Sequence, residues 1–248
     1  MKSCSKNPIT YLLISLFISA SPTAEMEARV VAESKAPEIH VSESLKSRSN
    51  ELLKTYIKAR KRIETFASHH GWQKNTEQSF VDKVEVYDTK DGFDKRLREL
   101  CPELEGKKIP RTFVAGIEKR ICFSVSPGVY EVVYPQGKGK NAFEKLLAHE
   151  LGHRLHVRIL NGEENRMGPI WFFEGFATYA SQQFPGNKPN LSKEEIQKIL
   201  EEKERGSYIN YNKVLKHFLK RHDLKELVEK AGQKDFSVWL LKSDGIKN

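Results

Sequence analysis

Cysteine and long apolar runs are both scarce in this sequence. Only three of the 248 residues are cysteine, and the N-terminal apolar run, residues 9–20, is about a dozen residues long. A membrane-spanning helix needs about 20 apolar residues, so this run is too short to span and predicts an export signal instead. Recognised nucleic-acid motifs are also absent, which argues against nucleic acid as a partner despite the formal net charge of +9.

The N-terminus is typical of an exported protein. Lys2 and Lys6 precede the apolar run, and small residues at positions 20–24 offer cleavage sites. We therefore predict that residues 1–24 are a signal peptide and that the mature protein is periplasmic or secreted, with an uncleaved signal anchor as the alternative. Residues 25–41 are rich in Glu, Ala, Ser and Pro and are predicted to form a flexible lead.

The remaining cysteines predict a disulfide. Removal of the signal discards Cys4 and leaves Cys101 and Cys122 in a compartment that permits oxidation. A bridge between them would stabilise the fold by about 3 kcal/mol in the chain-entropy model. Two buried free thiols are the alternative.

The excess of positive charge predicts attraction to anionic surfaces or acidic substrates. The basic clusters at residues 58–62 and 216–221 carry no nucleic-acid motif and are interpreted as a solvated basic face. The loop at residues 137–140 has the sequence Gly-Lys-Gly-Lys but lacks the rest of a phosphate-binding pattern, so no nucleotide is expected. We favour a monomer.

Two histidines four residues apart predict a metal site. The string His149-Glu150-Leu151-Gly152-His153 places both imidazoles on one face of a helix, one turn apart, where both can reach a single ion. Glu150 lies about 100° round the helix from His149, beside the metal, where it can act as a base. The flanking residues predict a helix over residues 142–160, with Asn141 and Glu144 resembling a capping box and Asn161-Gly162 a left-handed stop.

A catalytic zinc ion keeps three protein ligands and one open position, so a third ligand must come from elsewhere in the chain. Glu174 is the best candidate, because it lies near the start of a second predicted helix, residues 171–183. The 20 residues between His153 and Glu174 are enough for a helix end, a loop and the start of that second helix. The sequence therefore predicts one Zn²⁺ bound by His149, His153 and Glu174.

These residues carry a resemblance. His-Glu-x-x-His followed by Trp-x-x-Glu-Gly-Phe-Ala-x-Tyr, within residues 141–184, resembles the gluzincin metallopeptidases, which include thermolysin and the aminopeptidase N family. The resemblance implies an α+β, zincin-like, two-lobed catalytic domain in which the two His and Glu174 bind zinc and Glu150 is the general base. Phe173 and Thr178 depart from the patterns of these families, so the groups that orient the ligands must differ.

A peptide hydrolase also needs a donor for the oxyanion that forms on the scissile carbonyl. The segment Tyr211-Asn212-Lys213-Val214 resembles the Tyr-x-Lys-Gly segment of aminopeptidase N relatives, which implies that Tyr211 is this donor. Three alternatives remain open: Tyr208, His217 and His222. His156 lies a further turn along the zinc helix, too far for the same ion, and is expected to line the site.

The predicted catalytic domain covers residues 42–248. Its first part, residues 42–140, is predicted to contain an amphipathic helix at 42–68, strands at 80–88, 111–117, 120–126 and 129–134, and a helix at 93–100. Residues 129–134 are expected to be an edge strand that pairs with an extended substrate. The helix at 42–68 is interpreted as scaffold, with a propeptide role as the alternative. Residues 141–248 are predicted to be all-helical, including a charged helix at 192–205.

The predicted function is an exported zinc metallopeptidase that acts on a peptide or protein substrate. A zinc-site protein that no longer turns over and serves as a binding module is one alternative. Hydrolysis of a non-peptide amide, for example in the cell wall, is another. The natural substrate and the choice between internal and terminal cleavage stay open.

Overall fold

The computed structural model describes residues 36–184, 186 and 190–245. The predicted signal peptide, residues 1–24, and most of the predicted lead therefore lie outside the described residues. Within them the fold is α+β, with a small mixed sheet and nine α-helices. None of these helices combines the length and the apolar character that a membrane span requires.

The sheet has four strands in the order β1-β2-β4-β3. These are β1 (Glu38–Val41), β2 (Lys83–Tyr87), β3 (Ala115–Glu118) and β4 (Ile121–Val125). β1, β2 and β4 are parallel, whereas β3 is antiparallel to β4 and forms one edge of the sheet. The strands predicted near 80–88, 111–117 and 120–126 are thus confirmed. The flexible lead predicted for residues 25–41 is wrong at its C-terminal end, because residues 38–41 form a strand that pairs with β2.

The first helices cover the two faces of the sheet. α1 (Ser49–His69) follows a short 3₁₀ segment, and α2 (Lys90–Leu100) follows β2. α2 packs on one face, where Phe93 stacks on Phe123 of β4 at 5.3 Å and Arg96 pairs with Glu85 of β2 at 2.8 Å. Side chains alternate along a strand, so Cys122 points to the opposite face, near Tyr56 of α1.

This alternation explains why the predicted disulfide is wrong. Cys101 and Cys122 are both buried free thiols. Cys101 ends α2 and therefore lies on the α2 side of the sheet, whereas Cys122 faces α1 and the helix that carries Glu150. The sheet separates the two sulfurs, and burial raises the pKa of both thiols.

The predicted edge strand at residues 129–134 is also wrong, because this segment is a helix, α3 (Pro127–Val133). The β-branched and aromatic residues of this segment favoured a strand, but Ser126-Pro127 places a proline in the first turn of a helix, where its fixed φ and missing N–H cost nothing. The sheet edge on the side of β4 is formed by β3 instead.

The rest of the described chain is helical. It contains α4 (Ala142–Ile159), α5 (Ile170–Ala180), α6 (Lys193–Leu200), α7 (Tyr208–Phe218), α8 (Leu224–Lys230) and α9 (Phe236–Ser243). α4 and α5 confirm the two helices predicted to carry the metal ligands. α4 is stopped as predicted by positive φ at Asn161 and Gly162, but Asn141 makes no capping hydrogen bond. Glu144 instead forms an ion pair with Arg62 of α1.

Candidate metal centre

The site lies where α4 crosses α5. Gly152 of α4 faces Ala177 of α5 so closely that a Cβ built at Gly152 would lie 3.2 Å from the Ala177 Cα. Gly175 allows a similar approach of α7, because a Cβ there would lie 3.1 Å from the backbone oxygen of Tyr211. The two glycines are neighbours of the predicted ligands in sequence. They let three helices meet closely enough for side chains of α4 and α5 to converge.

The three predicted ligands converge at this crossing. The Nε2 atoms of His149 and His153 are 3.0 Å apart, and Oε2 of Glu174 lies 3.0 Å from the first and 3.4 Å from the second. All three residues are buried. Ligands about 2.0–2.1 Å from a tetrahedral zinc ion are about 3.3 Å from one another, so this triangle has the size that such an ion requires. The group can hold a metal ion.

Neighbouring charges determine the protonation of the ligand residues. Burial alone would raise the pKa of Glu174, but Arg205 and the two imidazoles hold it well below its usual range. Burial likewise opposes protonation of His149, and the hydrogen bond with Glu174 raises the pKa of His149 nevertheless. Glu174 is therefore a carboxylate, the form that binds a cation.

Arg205 contacts the ligand group from the loop between α6 and α7, a role that the sequence did not indicate. Its Nη2 atom lies 2.9 Å from Oε1 of Glu174, and its Nη1 donates to the hydroxyl of Tyr208 at 3.3 Å. Residues 192–205 were predicted as one charged helix, but α6 ends at Leu200. Arg205 is thus free of the helix and reaches the site.

Metal-bound imidazoles usually donate their second N–H to an orienting acceptor. The Nδ1 atoms of His149 and His153 are buried and have no hydrogen-bond partner among the described residues. Packing orients the rings instead: His153 lies against Phe173 with ring centroids 5.8 Å apart. Thr178, at the other position that departs from the family pattern, donates to the backbone oxygen of Gly175.

An open cleft lies beside the three ligands. Glu150 lines it, as predicted for the base. The edge strand β3 and residues 112–114 form one wall. The rest is lined by aromatic and polar side chains, which include Tyr130, Tyr134, Gln183, Arg205 and Tyr208.

Tyr208 lies in the cleft and Tyr211 does not line it. The ring of Tyr208 is 5.6 Å from that of His149. The hydroxyl of Tyr211 instead donates to Glu202 at 2.9 Å and accepts from the backbone N–H of Gly206. The structure therefore brings the alternative tyrosine to the site, whereas Tyr211 of α7 bonds to the loop that carries Arg205.

The other histidines lie away from the cleft wall. His217 pairs with Asp244 at 2.7 Å, and His222 contacts Glu226 and Ser243. His156 does not line the cleft as expected but stacks on Phe176 at 4.4 Å, and burial lowers its pKa to about 3, so it is a neutral core residue. The loop at residues 137–140 is likewise absent from the described wall.

The site thus offers three converging ligand atoms, a carboxylate beside them, a phenol and a strand edge. Such an arrangement can hold a divalent cation and position a polar substrate next to it. A scan against protein-family models found no match, and searches of curated proteins and of solved structures found none either.

Proposed function

We propose that this protein is an exported zinc-dependent metallopeptidase of zincin-like, two-lobed plan. The observation that carries the proposal is the triangle formed by His149 Nε2, His153 Nε2 and Glu174 Oε2, with sides of 3.0, 3.0 and 3.4 Å, at the wall of an open cleft. Two imidazoles and one carboxylate are the ligand set of hydrolytic zinc sites that keep an open coordination position. A bound zinc ion would activate water and polarise the scissile carbonyl.

Glu150 is the general base in this proposal. It follows His149 on α4 and lines the cleft beside the ligands, where its carboxylate can take a proton from the attacking water. The same carboxyl group then delivers the proton to the amine that leaves. Glu150 is half-buried rather than enclosed, so the cleft leaves it accessible to water and substrate.

Tyr208 is the donor to the carbonyl oxygen of the scissile bond. Its ring lies beside His149, and burial raises the pKa of its hydroxyl above the ordinary value, so the group keeps its proton at neutral pH. A phenol that keeps its proton can stabilise the oxyanion that forms in the transition state.

The edge strand β3 is placed to bind the substrate backbone. Among the described residues it pairs with β4 alone, and it lines the cleft with its whole length, Ala115–Glu118. An extended peptide can add to such an edge through main-chain hydrogen bonds. This favours a peptide over a compact small molecule as the substrate.

The decisive experiment compares the parent protein with Glu150→Gln. Purified parent protein loaded with Zn²⁺ should cleave members of a peptide library, and a chelator should stop the cleavage. Glu150→Gln should bind Zn²⁺ equally well and lose turnover by at least about 10²-fold, because proton transfer contributes about 10²–10⁴-fold. A variant as active as the parent would disprove the assigned role, and zinc binding without any cleavage would favour a binding module.

A further inference from the structure

The two carboxylate oxygens of Glu174 face different groups. Oε2 lies 3.0 and 3.4 Å from the two imidazole Nε2 atoms, on the side where the metal would bind. Oε1 lies 2.9 Å from Nη2 of Arg205, in an ion pair that is not aligned as a hydrogen bond. Glu174 is only 1% exposed, so its carboxylate is enclosed by packed side chains and is not free to rotate. The carboxylate is therefore held with Oε2 toward the two imidazoles and Oε1 toward Arg205.

This division decides how many ligand atoms Glu174 can supply. A carboxylate binds a metal through one oxygen or through both. With one oxygen, the three residues supply three ligands and leave the fourth position of a tetrahedral ion for water. With both, Glu174 would occupy a further position that water or substrate needs.

We propose that Arg205 is a positioning residue that occupies Oε1 of Glu174 and so restricts this carboxylate to binding the metal through Oε2 alone. The inference rests on the metal centre of the proposed function. Arg205 suits the task because a guanidinium is always charged and presents several donors in a fixed plane. One nitrogen contacts Glu174 and another donates to the Tyr208 hydroxyl at 3.3 Å.

The loop that carries Arg205 is held in place by the side chain of Tyr211 in α7. The Tyr211 hydroxyl accepts from the backbone N–H of Gly206, the residue next to Arg205, and donates to Glu202 at 2.9 Å. Gly206 packs closely on both side chains, since a Cβ there would lie 2.3 Å from an oxygen of Glu202 and 2.9 Å from the Tyr211 hydroxyl. The backbone at Arg205 is thus fixed by contacts that do not involve the metal ligands.

The test is the visible absorption spectrum of the Co²⁺-loaded protein, because four-coordinate Co²⁺ absorbs more strongly than five-coordinate Co²⁺. Parent protein, Arg205→Met, Arg205→Lys and Arg48→Met are compared at equal bound metal. Arg48 is the matched control, an exposed arginine paired with Glu51 on α1. We expect Arg205→Met to bind Co²⁺ with a clear loss of absorption, Arg205→Lys to recover part of it, and Arg48→Met to match the parent.

A spectrum of Arg205→Met identical to that of the parent would overturn the inference. Loss of the metal from Arg205→Met would also overturn it, because Arg205 would then be needed for metal binding itself. If the parent binds no Co²⁺ or Zn²⁺, both this inference and the proposed function fail. If the parent binds metal and shows the expected spectral changes but cleaves no peptide, only the proposed function fails. Circular dichroism checks that Arg205→Met folds, and methylguanidinium added to Arg205→Ala should restore the parent spectrum.

Discussion

The hydroxyl of Tyr208 is the group whose removal best separates catalysis from binding. Tyr208→Phe should leave the zinc affinity and the KM near those of the parent. It should lower kcat by about 10²–10³-fold, because a donor that acts mainly in the transition state is lost. Steady-state kinetics on one peptide substrate measures both parameters. A rise in KM with unchanged kcat would show that Tyr208 only binds the substrate.

Tyr211→Phe is the matched comparison, since it removes a phenol one helical turn away that bonds to Glu202 and Gly206. It should lower the free energy of unfolding by about 1–3 kcal/mol, because two hydrogen bonds are lost and each usually contributes about 0.5–1.5 kcal/mol. Its kcat should fall less than that of Tyr208→Phe. A larger fall in kcat for Tyr211→Phe than for Tyr208→Phe would identify Tyr211 as the donor, as predicted from its sequence context.

Residues with fixed local spacing could be predicted, and residues without it could not. His149, Glu150 and His153 lie within one helical turn, so their relation follows from helix geometry alone. Arg205 and Tyr208 come from a loop and a helix start more than 30 residues after Glu174, and no spacing links them to it. The sequence offered Tyr208 only as one of three alternatives to Tyr211 and did not indicate Arg205. Only the folded chain shows that both lie beside the ligands.

At the scale of elements, the crossing of α4 and α5 depends on the glycine between the two histidines. Gly152→Ala places a methyl group 3.2 Å from the Ala177 Cα, a backbone atom that cannot rotate away. We expect a net loss of up to about 2 kcal/mol in the free energy of unfolding, since overpacking costs about 1–3 kcal/mol and the alanine regains about 1 kcal/mol of helix propensity. Zinc affinity should fall as well, because the helices that carry the ligands are forced apart.

Gly128 of α3 provides the control for this prediction. A Cβ at Gly128 would meet no atom within 4 Å, so Gly128→Ala adds helix propensity without crowding. It should stabilise the protein by about 0.5–1 kcal/mol and leave zinc binding unchanged. Denaturant unfolding and chelator competition measure the two quantities. Equal effects of the two substitutions would show that the crossing tolerates a side chain.

Helices and strands were predicted correctly where the pattern of apolar residues agreed with the residues that start and stop an element. α4 has both a buried apolar stripe and a left-handed stop at Asn161-Gly162, and its predicted span is confirmed. Residues 129–134 had a strand-like composition but a helix-starting proline two residues earlier, and the helix formed. The side of the sheet on which each cysteine lies depends on the strand register at Cys122 and on the packing of α2 before Cys101, which the sequence does not show. The disulfide prediction failed for that reason.

At the scale of the whole molecule, α1 is part of the core rather than a removable segment. One side of the helix is buried, with the residues Leu52, Tyr56, Ala59, Ile63 and Ala67 each at most 1% exposed. Arg62 joins α1 to both helices of the metal centre, through the ion pair with Glu144 of α4 and a 2.7 Å hydrogen bond to Gln182 after α5. α1 contributes no residue to the described wall of the cleft.

This arrangement predicts how the molecule responds when α1 is loosened. Ile63→Ala should lower the free energy of unfolding by about 2–5 kcal/mol, the usual cost of emptying a buried site, and should lower peptidase activity with it. Lys58→Ala, an exposed position on the same helix, should change stability by no more than about 0.5 kcal/mol. Urea unfolding and peptide hydrolysis measure both effects. A propeptide would give the opposite result for activity, since weakening its contact would open the cleft and raise turnover, so a more active Ile63→Ala would identify α1 as an inhibitory segment.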